Sequence, residues 1–311
     1  MKIAIIIPTY NAYKTIAETL VSVQKNIQLN HQLTIKTIIA DDCSRDNTLD
    51  IVQNTWYLSP ELIEILRSQL NQGERANVNH AIEKIINEFD WIYILHSDDI
   101  AKENWLKVLY EQTLIYPDVA AISTSYDVLY EDGKTDKGEN HEHTSLIKSS
   151  KEAIKNTLKN GTWFHISGCA ISTSTIKKIG YFQKDLPQYG DMEYVLRILY
   201  NQLDILYIPQ SLTIYRQIST SVSSNSFKIN LDILESSSLV AHFKEYFNES
   251  ELKLQNERFQ TYLNKRIARS IATLNIKRLL NAVKLKGYVK DILLKNRANK
   301  YQFPFLNIQN G

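Results

Sequence analysis

The sequence predicts an α/β fold, a mixed but mainly parallel sheet flanked by helices, with a helical extension at the carboxyl end. Two observations carry this prediction. Apolar segments of strand length alternate with helix-period segments over the first 116 residues. Polar side chains cluster just after three of the strand segments, where ligands bind in parallel sheets.

The first part of the chain, 1–116, contains four predicted strands and four predicted helices. Continuous apolar runs are typical of buried parallel strands, and they occur at 2–8, 34–40, within 62–70 and at 91–95. Apolar residues spaced by three and four predict helices at 15–26, 48–56, 74–89 and 105–116.

Beyond residue 116 the pattern is less regular. Strands are expected at 119–128, 168–172, 206–208 and 212–215, with a polar loop or hairpin at 130–150 and a helix at 191–203. The segment 227–297 is predicted to be mostly helical, with a break at Gly287. We therefore expect two regions, 1–226 and 227–311.

The charge is unevenly distributed along the 311 residues. The chain has a net charge of +2, but the segment from Gln260 to Lys300 holds eleven Lys and Arg against one acid, Asp291. That segment carries +10 and leaves −8 on the remainder. A basic segment of this kind predicts an anionic partner. Two distant cysteines favour a reduced, cytoplasmic setting, and no apolar run approaches the ~20 residues that span a bilayer.

Paired acids follow the second and fourth predicted strands. Asp98 and Asp99 would repel each other unless a cation lies beside them, so a divalent metal is one interpretation and a helix N-cap is the other. Asp41 and Asp42 either accept from a nucleotide or form a turn with Ser44.

Taken in order, the motifs resemble the family 2 glycosyltransferases of GT-A fold. They are Pro-Thr-Tyr-Asn at 8–11, Asp-Asp-Cys-Ser at 41–44, the Asn-Gln-Gly stretch within 71–79, and Ser-Asp-Asp at 97–99. The resemblance extends from Lys2 to about Arg216. It implies an inverting transferase that uses a nucleotide sugar, with a nucleotide-sugar half at about 1–116 and an acceptor half at about 117–226.

The resemblance also implies roles for individual residues. Asp42, with Asp41 as a second choice, would accept from a uracil-type N–H, and Asp98 would hold the ribose. Asp99, with Asp98, would bind Mn²⁺ or Mg²⁺, and Asp191 would be the catalytic base, with Glu193 as the weaker alternative. The remaining nucleotide-binding positions implied are Pro8, Thr9, Tyr10, Asn11, Asn79 and Arg216, the last with the serines that follow it.

The sequence departs from the family pattern at several positions. His96 replaces an acid, Val78 replaces an arginine for which Arg75 is a candidate substitute, and Gln217 replaces a histidine. Trp163 and His165 are candidate acceptor contacts, although both could equally be structural. The two histidines of His141-Glu142-His143 are interpreted as part of a solvated loop rather than as metal ligands.

Alternatives remain open for the partners. The donor is expected to be a UDP-sugar and the acceptor a saccharide or lipid-linked molecule of a bacterial surface polysaccharide. A nucleotidyltransferase is disfavoured because 8–14 contains no glycine. A non-catalytic saccharide-binding protein is the other alternative, and nucleic acid is not expected. The C-terminal apolar residues predict either packing, which we favour, or contact with an anionic membrane; they are Ile267, Ile271, Leu274, Leu279, Leu280 and Val283.

Overall fold

The computed structural model describes residues 1–138, 144–161, 163–217, 229–295, 297–299 and 301. The chain forms two compact units. Unit 1 comprises Met1–Ser149, Trp163–Lys184 and Ile198–Ile218, and unit 2 comprises Ser150–Thr162, Asp185–Arg197 and Ser219–Gly311. The expected boundary between 226 and 227 falls outside the described residues, and that division stays a prediction.

Unit 1 is built on one mixed sheet. Its strands are β1 Lys2–Thr9, β2 Thr34–Asp41, β3 Ile63–Arg67, β4 Trp91–Ile94, β5 Ile100–Ala101, β6 Ala121–Tyr130, β7 Thr135–Asp136, β8 Ser145–Ile147, β9 Ala170–Ser172 and β10 Ile205–Gln217. The order is β3-β2-β1-β4-β9-β6-β10-β5, with β7 paired to β6 and β8 to β10. The first four strands of this path are parallel, and β9 is antiparallel to both β4 and β6. The predicted mainly parallel α/β fold is therefore confirmed.

The described helices fall in both units. They are α1 Ile16–Leu29, α2 Thr48–Thr55, α3 Glu74–Ile85, α4 Trp105–Ile115, α5 Lys151–Asn160, α6 Thr173–Ile179, α7 Gly190–Tyr200, α8 Leu231–His242, α9 Glu249–Ala272 and α10 Ile276–Leu294. Short 3₁₀ turns occupy Pro60–Leu62 and Lys244–Tyr246. None of the helices described combines the length and the apolar character needed to cross a bilayer.

Strand β1 forms the centre of the core of unit 1. Ile3, Ile5 and Ile7 project to one face, where they pack in a cluster with Leu20 of α1 and Trp105 of α4. The intervening residues of β1 are also fully buried and point to the opposite face, since side chains alternate along a strand, and α3 packs there. Burial on both faces explains why the strand is apolar at every position from 3 to 7.

Several elements differ from the sequence-based expectation. The two short strands expected around Pro209 are one strand, β10, whose register shifts between Ile208 and Thr213, because a proline has no N–H for the ladder. Helices α5 and α6 were not expected. Both begin with a serine N-cap, Ser150 and Ser172, whose hydroxyl accepts a backbone N–H three residues on.

The expected helix break at Gly287 is wrong. Gly287 lies within α10, which is continuous from Ile276 to Leu294. A glycine costs a helix only about 1 kcal/mol. The burial of Leu285, Val289 and Ile292 on the same helix outweighs that cost.

The expected packing of the C-terminal apolar residues is also wrong for most of them. Helices α9 and α10 are joined at 273–275 and pack on each other, but the buried positions are others, such as Leu263 and Val289. The exposed fraction is 57% for Ile271, 86% for Leu274 and 55% for Leu280. Helical spacing in the sequence selected residues on the outer face of this hairpin rather than on its inner face.

Gly168 is a position where the fold of unit 1 requires glycine. Its φ is +94°, its N–H donates to the Ile94 carbonyl at 2.7 Å, and its carbonyl accepts from the Trp105 indole at 3.0 Å. A Cβ here would lie 2.8 Å from Cγ2 of Thr213. The glycine therefore holds β9, β4 and α4 together at close approach.

We expect Gly168→Ala to destabilise the protein more than Gly133→Ala. Both glycines have a left-handed φ, +94° and +82°, which costs an alanine about 1–2 kcal/mol, but nothing lies within 4 Å of a Cβ at Gly133. The clash with Thr213 adds about 1–3 kcal/mol at Gly168. Urea unfolding of the two variants measures the difference, and Thr213→Ala should recover part of it. An equal decrease in the free energy of unfolding in the two variants would contradict the argument that the backbone at Gly168 approaches Thr213 too closely for a Cβ.

Candidate active site

The segment after β1 is joined to the segment after β2. Asn11 has a φ of +47°, and its backbone N–H donates to the Ser44 hydroxyl at 3.0 Å. Its side-chain oxygen accepts the Arg45 N–H at 2.9 Å. Thr9 is buried, whereas the Tyr10 side chain is 47% exposed at the carboxyl edge of the sheet. Tyr10 is thus available to a ligand, as its predicted role requires.

Asp41 is enclosed within the protein. It is fully buried at the end of β2, and its two carboxylate oxygens accept the Ser44 N–H at 3.2 and 3.3 Å. The Arg67 Nε lies 3.3 Å from one of these oxygens. These contacts agree with the turn interpretation of Asp41, and its predicted nucleotide contact stays a prediction.

Asp42 closes a second loop. One carboxylate oxygen accepts the Gln72 N–H and the other accepts the Gly73 N–H, both at 2.8 Å. The acid thereby holds the loop that leads into α3. Each carboxylate oxygen can accept more than one hydrogen bond, so a further bond to a base N–H is compatible with this geometry.

Asn79 and Arg75, both on α3, contact Phe182. The Asn79 amide donates to the Phe182 carbonyl at 2.8 Å and accepts the Phe182 N–H at 2.9 Å. The Arg75 guanidinium lies 5.7 Å from the centre of the Phe182 ring. Both ends of the Asn79 amide are therefore engaged by backbone, and its predicted contact with a nucleotide is not tested by this arrangement.

A cluster of potential metal ligands follows β4. One ligand atom from each of His96, Asp98 and Asp99 lies within 4.8 Å of the others. Asp99 is 1% exposed, and its Oδ2 has no hydrogen-bond partner among the described residues. The buried His96 Nε2 likewise makes no hydrogen bond within that part of the chain. Unpaired buried oxygen and nitrogen atoms fit a divalent cation, which takes such ligands.

The electrostatics of this cluster agree with that fit. Burial, with a further contribution from the Asp99 charge, raises the pKa of Asp98 to about 6. Burial also raises the pKa of Asp99, although His96, the Ser167 hydroxyl and Arg216 oppose the rise. A cation bound between these carboxylates would oppose both rises, because it favours the charged form of each acid.

Arg216 lies against the same cluster, near the end of β10. Its backbone N–H donates to Asp99 Oδ1 at 2.9 Å, and its Nε donates to the Asp98 carbonyl at 2.8 Å. Its Nη2 is 2.6 Å from a carboxylate oxygen of Glu18 on α1. Arg216, implied by the resemblance as a nucleotide-binding residue, is therefore held beside the acids. The serine loop expected after it, 219–226, and His141-Glu142-His143 lie outside the described residues.

Glu74 belongs to this site and was not predicted from the sequence. Its Oε1 lies 3.5 Å from His96 Nε2 and 3.8 Å from Arg75 Nη1. Burial raises the pKa of Glu74, but the charges of His96, Arg75 and His165 together lower it further, so the net pKa is below its usual range. Its position as the first residue of α3 was visible in the sequence, but its proximity to β4 was not.

Aromatic rings surround His165. Its ring centre is 4.4 Å from that of Tyr126, 5.2 Å from that of Tyr215 and 6.4 Å from that of His96. Burial, followed by the charges of Asp99 and Asp98, raises the pKa of Tyr215 to about 12. His165 therefore lies beside the acid cluster, and the two tyrosines are site residues that the sequence did not indicate.

Trp163 packs against other aromatic residues. Its ring centre is 5.9 Å from that of Tyr207 and 6.3 Å from that of Phe164, with near-perpendicular planes. Its predicted contact with an acceptor is not tested by this packing.

Asp191 lies in unit 2, in the first turn of α7. The helix begins at Gly190, one residue earlier than expected, and the Asp191 carboxylate accepts the Met192 N–H at 2.9 Å. Glu193 is 1% exposed and forms two hydrogen bonds with the fully buried Arg197, at 2.6 and 3.0 Å. Because Glu193 is engaged in this ion pair, Asp191 is the better candidate base of the two.

Comparison with known proteins gives three kinds of match. The profile of Glycosyl transferase family 2 matches residues 4–180. TuaG of Bacillus subtilis, assigned to the glycosyltransferases of teichuronic acid biosynthesis, is 27% identical over 227 residues, 73% of this chain and 83% of TuaG. The glycosyltransferase GlyG of Streptococcus pneumoniae is 24% identical over 239 residues, 75% of this chain and 77% of GlyG.

Solved structures show the same fold. TarS 1–349 of Staphylococcus aureus, crystallised with UDP-GlcNAc, matches with a TM-score of 0.64 and 18% identity over 94% of this chain and 82% of that one. The mannosyltransferase PcManGT of Pyrobaculum calidifontis, in complex with GDP-Man and Mn²⁺, matches with a TM-score of 0.57 and 15% identity over 96% and 88% of the two chains.

Proposed function

The chain belongs to glycosyl transferase family 2, and from this premise we propose that it is an inverting enzyme that transfers a sugar from a UDP-sugar to a saccharide or lipid-linked acceptor. The glycan is proposed to be a bacterial surface polysaccharide, since TuaG is named for teichuronic acid biosynthesis and TarS for transfer of N-acetylglucosamine to poly(ribitol-phosphate). We place the enzyme in the cytoplasm, with a peripheral contact to an anionic membrane through its basic C-terminal region.

The acid cluster after β4 is the observation that carries this proposal. It joins the carboxyl end of β4 to Arg216, the residue predicted to bind the diphosphate. The carboxyl ends of β2, β1 and β4 follow one another in the parallel part of the sheet, so the exposed Tyr10 is available for the nucleoside. Thr9 and Asp42 are proposed as its further contacts. Acids that can hold a metal, beside Arg216 and next to the strand ends proposed to bind the nucleoside, suit a metal-bound nucleoside diphosphate.

The transfer itself requires a base. An acceptor hydroxyl is a weak nucleophile, so a carboxylate must take its proton as the oxygen attacks the anomeric carbon. We assign this step to Asp191. The bond from the anomeric carbon to the diphosphate oxygen breaks on the opposite side, UDP leaves, and the configuration is inverted. A divalent metal, when bound, supplies positive charge that offsets the charge developing on the diphosphate.

His96 bears on which metal is used. An imidazole nitrogen in place of a carboxylate oxygen disfavours Mg²⁺, which takes oxygen ligands and keeps several waters. Mn²⁺ accepts both types of ligand. His96 and Asp99 each contribute a ligand atom to the cluster, and neither His96 Nε2 nor Asp99 Oδ2 makes a hydrogen bond within the described residues, so we propose Mn²⁺ as the preferred ion.

We expect UDP to bind in the presence of Mn²⁺ and to lose most of its affinity in EDTA or in Asp99→Asn. The asparagine keeps an acceptor for the Arg216 N–H but removes the charge that would hold the metal. Calorimetric titration of UDP measures this, with circular dichroism to verify folding. Metal-independent UDP binding would overturn the metal role. Failure of UDP, dTDP and GDP alike would favour the non-catalytic alternative.

We expect His96→Asp to lower the preference for Mn²⁺ over Mg²⁺ by about tenfold, within the range usual for changes at metal sites. The aspartate restores an all-oxygen ligand set. Calorimetric titration of each metal into the protein without nucleotide gives the ratio of affinities, and His165→Asn, which changes a neighbouring imidazole, is the matched control. An unchanged ratio in His96→Asp would exclude His96 as a ligand.

We expect Asp191→Asn to lower turnover by about 10²–10⁴-fold, the usual contribution of a general base, while UDP still binds. Product release from a UDP-sugar measures turnover per folded molecule. Glu193→Gln is the comparison: it breaks a buried ion pair with Arg197 and should lower thermal stability rather than the rate of transfer. Parent-like turnover in Asp191→Asn would refute its assignment as the base.

A further inference from the structure

The connection between α9 and α10 carries an unusual set of exposed apolar side chains. We define the hairpin tip as Ile271, Leu274, Ile276, Leu280 and Val283, whose exposed fractions are 57%, 86%, 69%, 55% and 50%. The last three have helical spacing of four and three residues, so they form one stripe on α10. All five belong to unit 2 and are close together along the hairpin.

Leu274 has both an unfavourable backbone conformation and an unfavourable exposure to water. Its φ is +52°, the left-handed region that follows a helix and that usually holds glycine or asparagine. It is also the most exposed of the large apolar residues in the described chain, at 86%. Neither the turn nor the solvated state favours leucine here, which points to a partner that covers the side chain.

The charge around the tip identifies the kind of partner. No Asp or Glu occurs between Glu257 and Asp291, while Lys265, Arg269, Lys277 and Lys284 flank the tip and are exposed. These four cations form no salt bridge with a carboxylate in the part of the chain that the structure describes. Arg266, a further basic residue of the hairpin, is engaged with Asp232 at 2.6 Å and helps to hold the hairpin to α8.

We propose that the hairpin tip docks on an anionic phospholipid bilayer, with Leu274 and its apolar neighbours in the interface and the four cations among the headgroups. Apolar side chains ringed by lysine and arginine without acids are the features of a surface that lies in a membrane interface. Nucleic acid would meet the cations but would leave the apolar residues in water. A second copy of the chain would present the same positive charge and be repelled.

Vesicle flotation of the full-length protein tests the proposal. We expect binding to vesicles of phosphatidylglycerol and phosphatidylcholine that weakens with salt, and little binding to phosphatidylcholine alone. Leu274→Asn should lower the affinity for the anionic vesicles by about tenfold or more, because it removes a buried leucine from the interface. Asparagine tolerates the left-handed φ, so this variant should fold at least as well as the parent.

Two further variants separate the contributions. Leu254→Gln changes a leucine of α9 that is 63% exposed but lies outside the tip, one turn from Glu251 and Glu257, and it should bind vesicles like the parent. Neutralising Arg269, Lys277 and Lys284 to Gln should weaken binding to anionic vesicles by about fivefold for each charge. Every variant is also titrated with UDP, since that binding resides in unit 1 and reports on the nucleotide site alone.

Three results would overturn the assignment. The first is that the parent protein fails to float with anionic vesicles at low salt. The second is that Leu274→Asn floats as well as the parent. The third is that sedimentation shows a parent oligomer that Leu274→Asn dissociates, which would make the tip an interface between copies of the chain. None of these depends on UDP binding, so failure here leaves the proposed transferase function standing, and the reverse also holds.

Discussion

Pairing of β1 between β2 and β4 is the constraint on which the candidate site depends. The residues from Ile3 to Ile7 are fully buried, so sliding the strand by one residue would exchange the side chains on its two faces. The parallel ladders continue past the strands: the Asp42 N–H donates to the Thr9 carbonyl at 2.8 Å, and the Leu95 N–H donates to the Ile6 carbonyl at 3.1 Å. The position of the acids after β2 and β4 therefore follows from the register of β1.

The cluster beyond β4 concentrates negative charge where water is largely removed. Burial raises the pKa of both Asp98 and Asp99, and Arg216 offsets this only in part, because its guanidinium contacts Glu18 and the Asp98 carbonyl. Such an arrangement costs folding free energy unless a cation or ligand completes it. The raised pKa values of Asp98 and Asp99, and the Asp99 oxygen without a hydrogen bond, are thus better explained by a role in ligand binding than by a contribution to the stability of the fold.

Several buried charged side chains of unit 2 are paired or hydrogen-bonded within that unit. Glu193 is paired with Arg197, and Asp232 with Arg266, each at 2.6 Å. Glu235, fully buried on α8, accepts the N–H groups of Gln188 and Tyr189 at 3.1 and 2.8 Å. These bonds hold the backbone just before the helix that carries Asp191. The hairpin tip is a region of this unit where several apolar side chains are left in water.

The sequence by itself determined the fold class, the order of the first four strands and helices, and the acids at 41–42 and 98–99, because apolar periodicity and short motifs are local properties. It did not reveal helix α5, and it misplaced the inner face of the α9–α10 hairpin, since several apolar stripes fit a long helix equally well. Only the tertiary structure decided that Glu18 meets Arg216, 198 positions away, and that His165 lies among Tyr126, Tyr215 and His96. Contacts of this kind depend on the order of the strands in the sheet. Strand β9 lies between β4 and β6 and so brings segments that are distant in sequence to the same edge of the sheet. No local sequence pattern records that strand order.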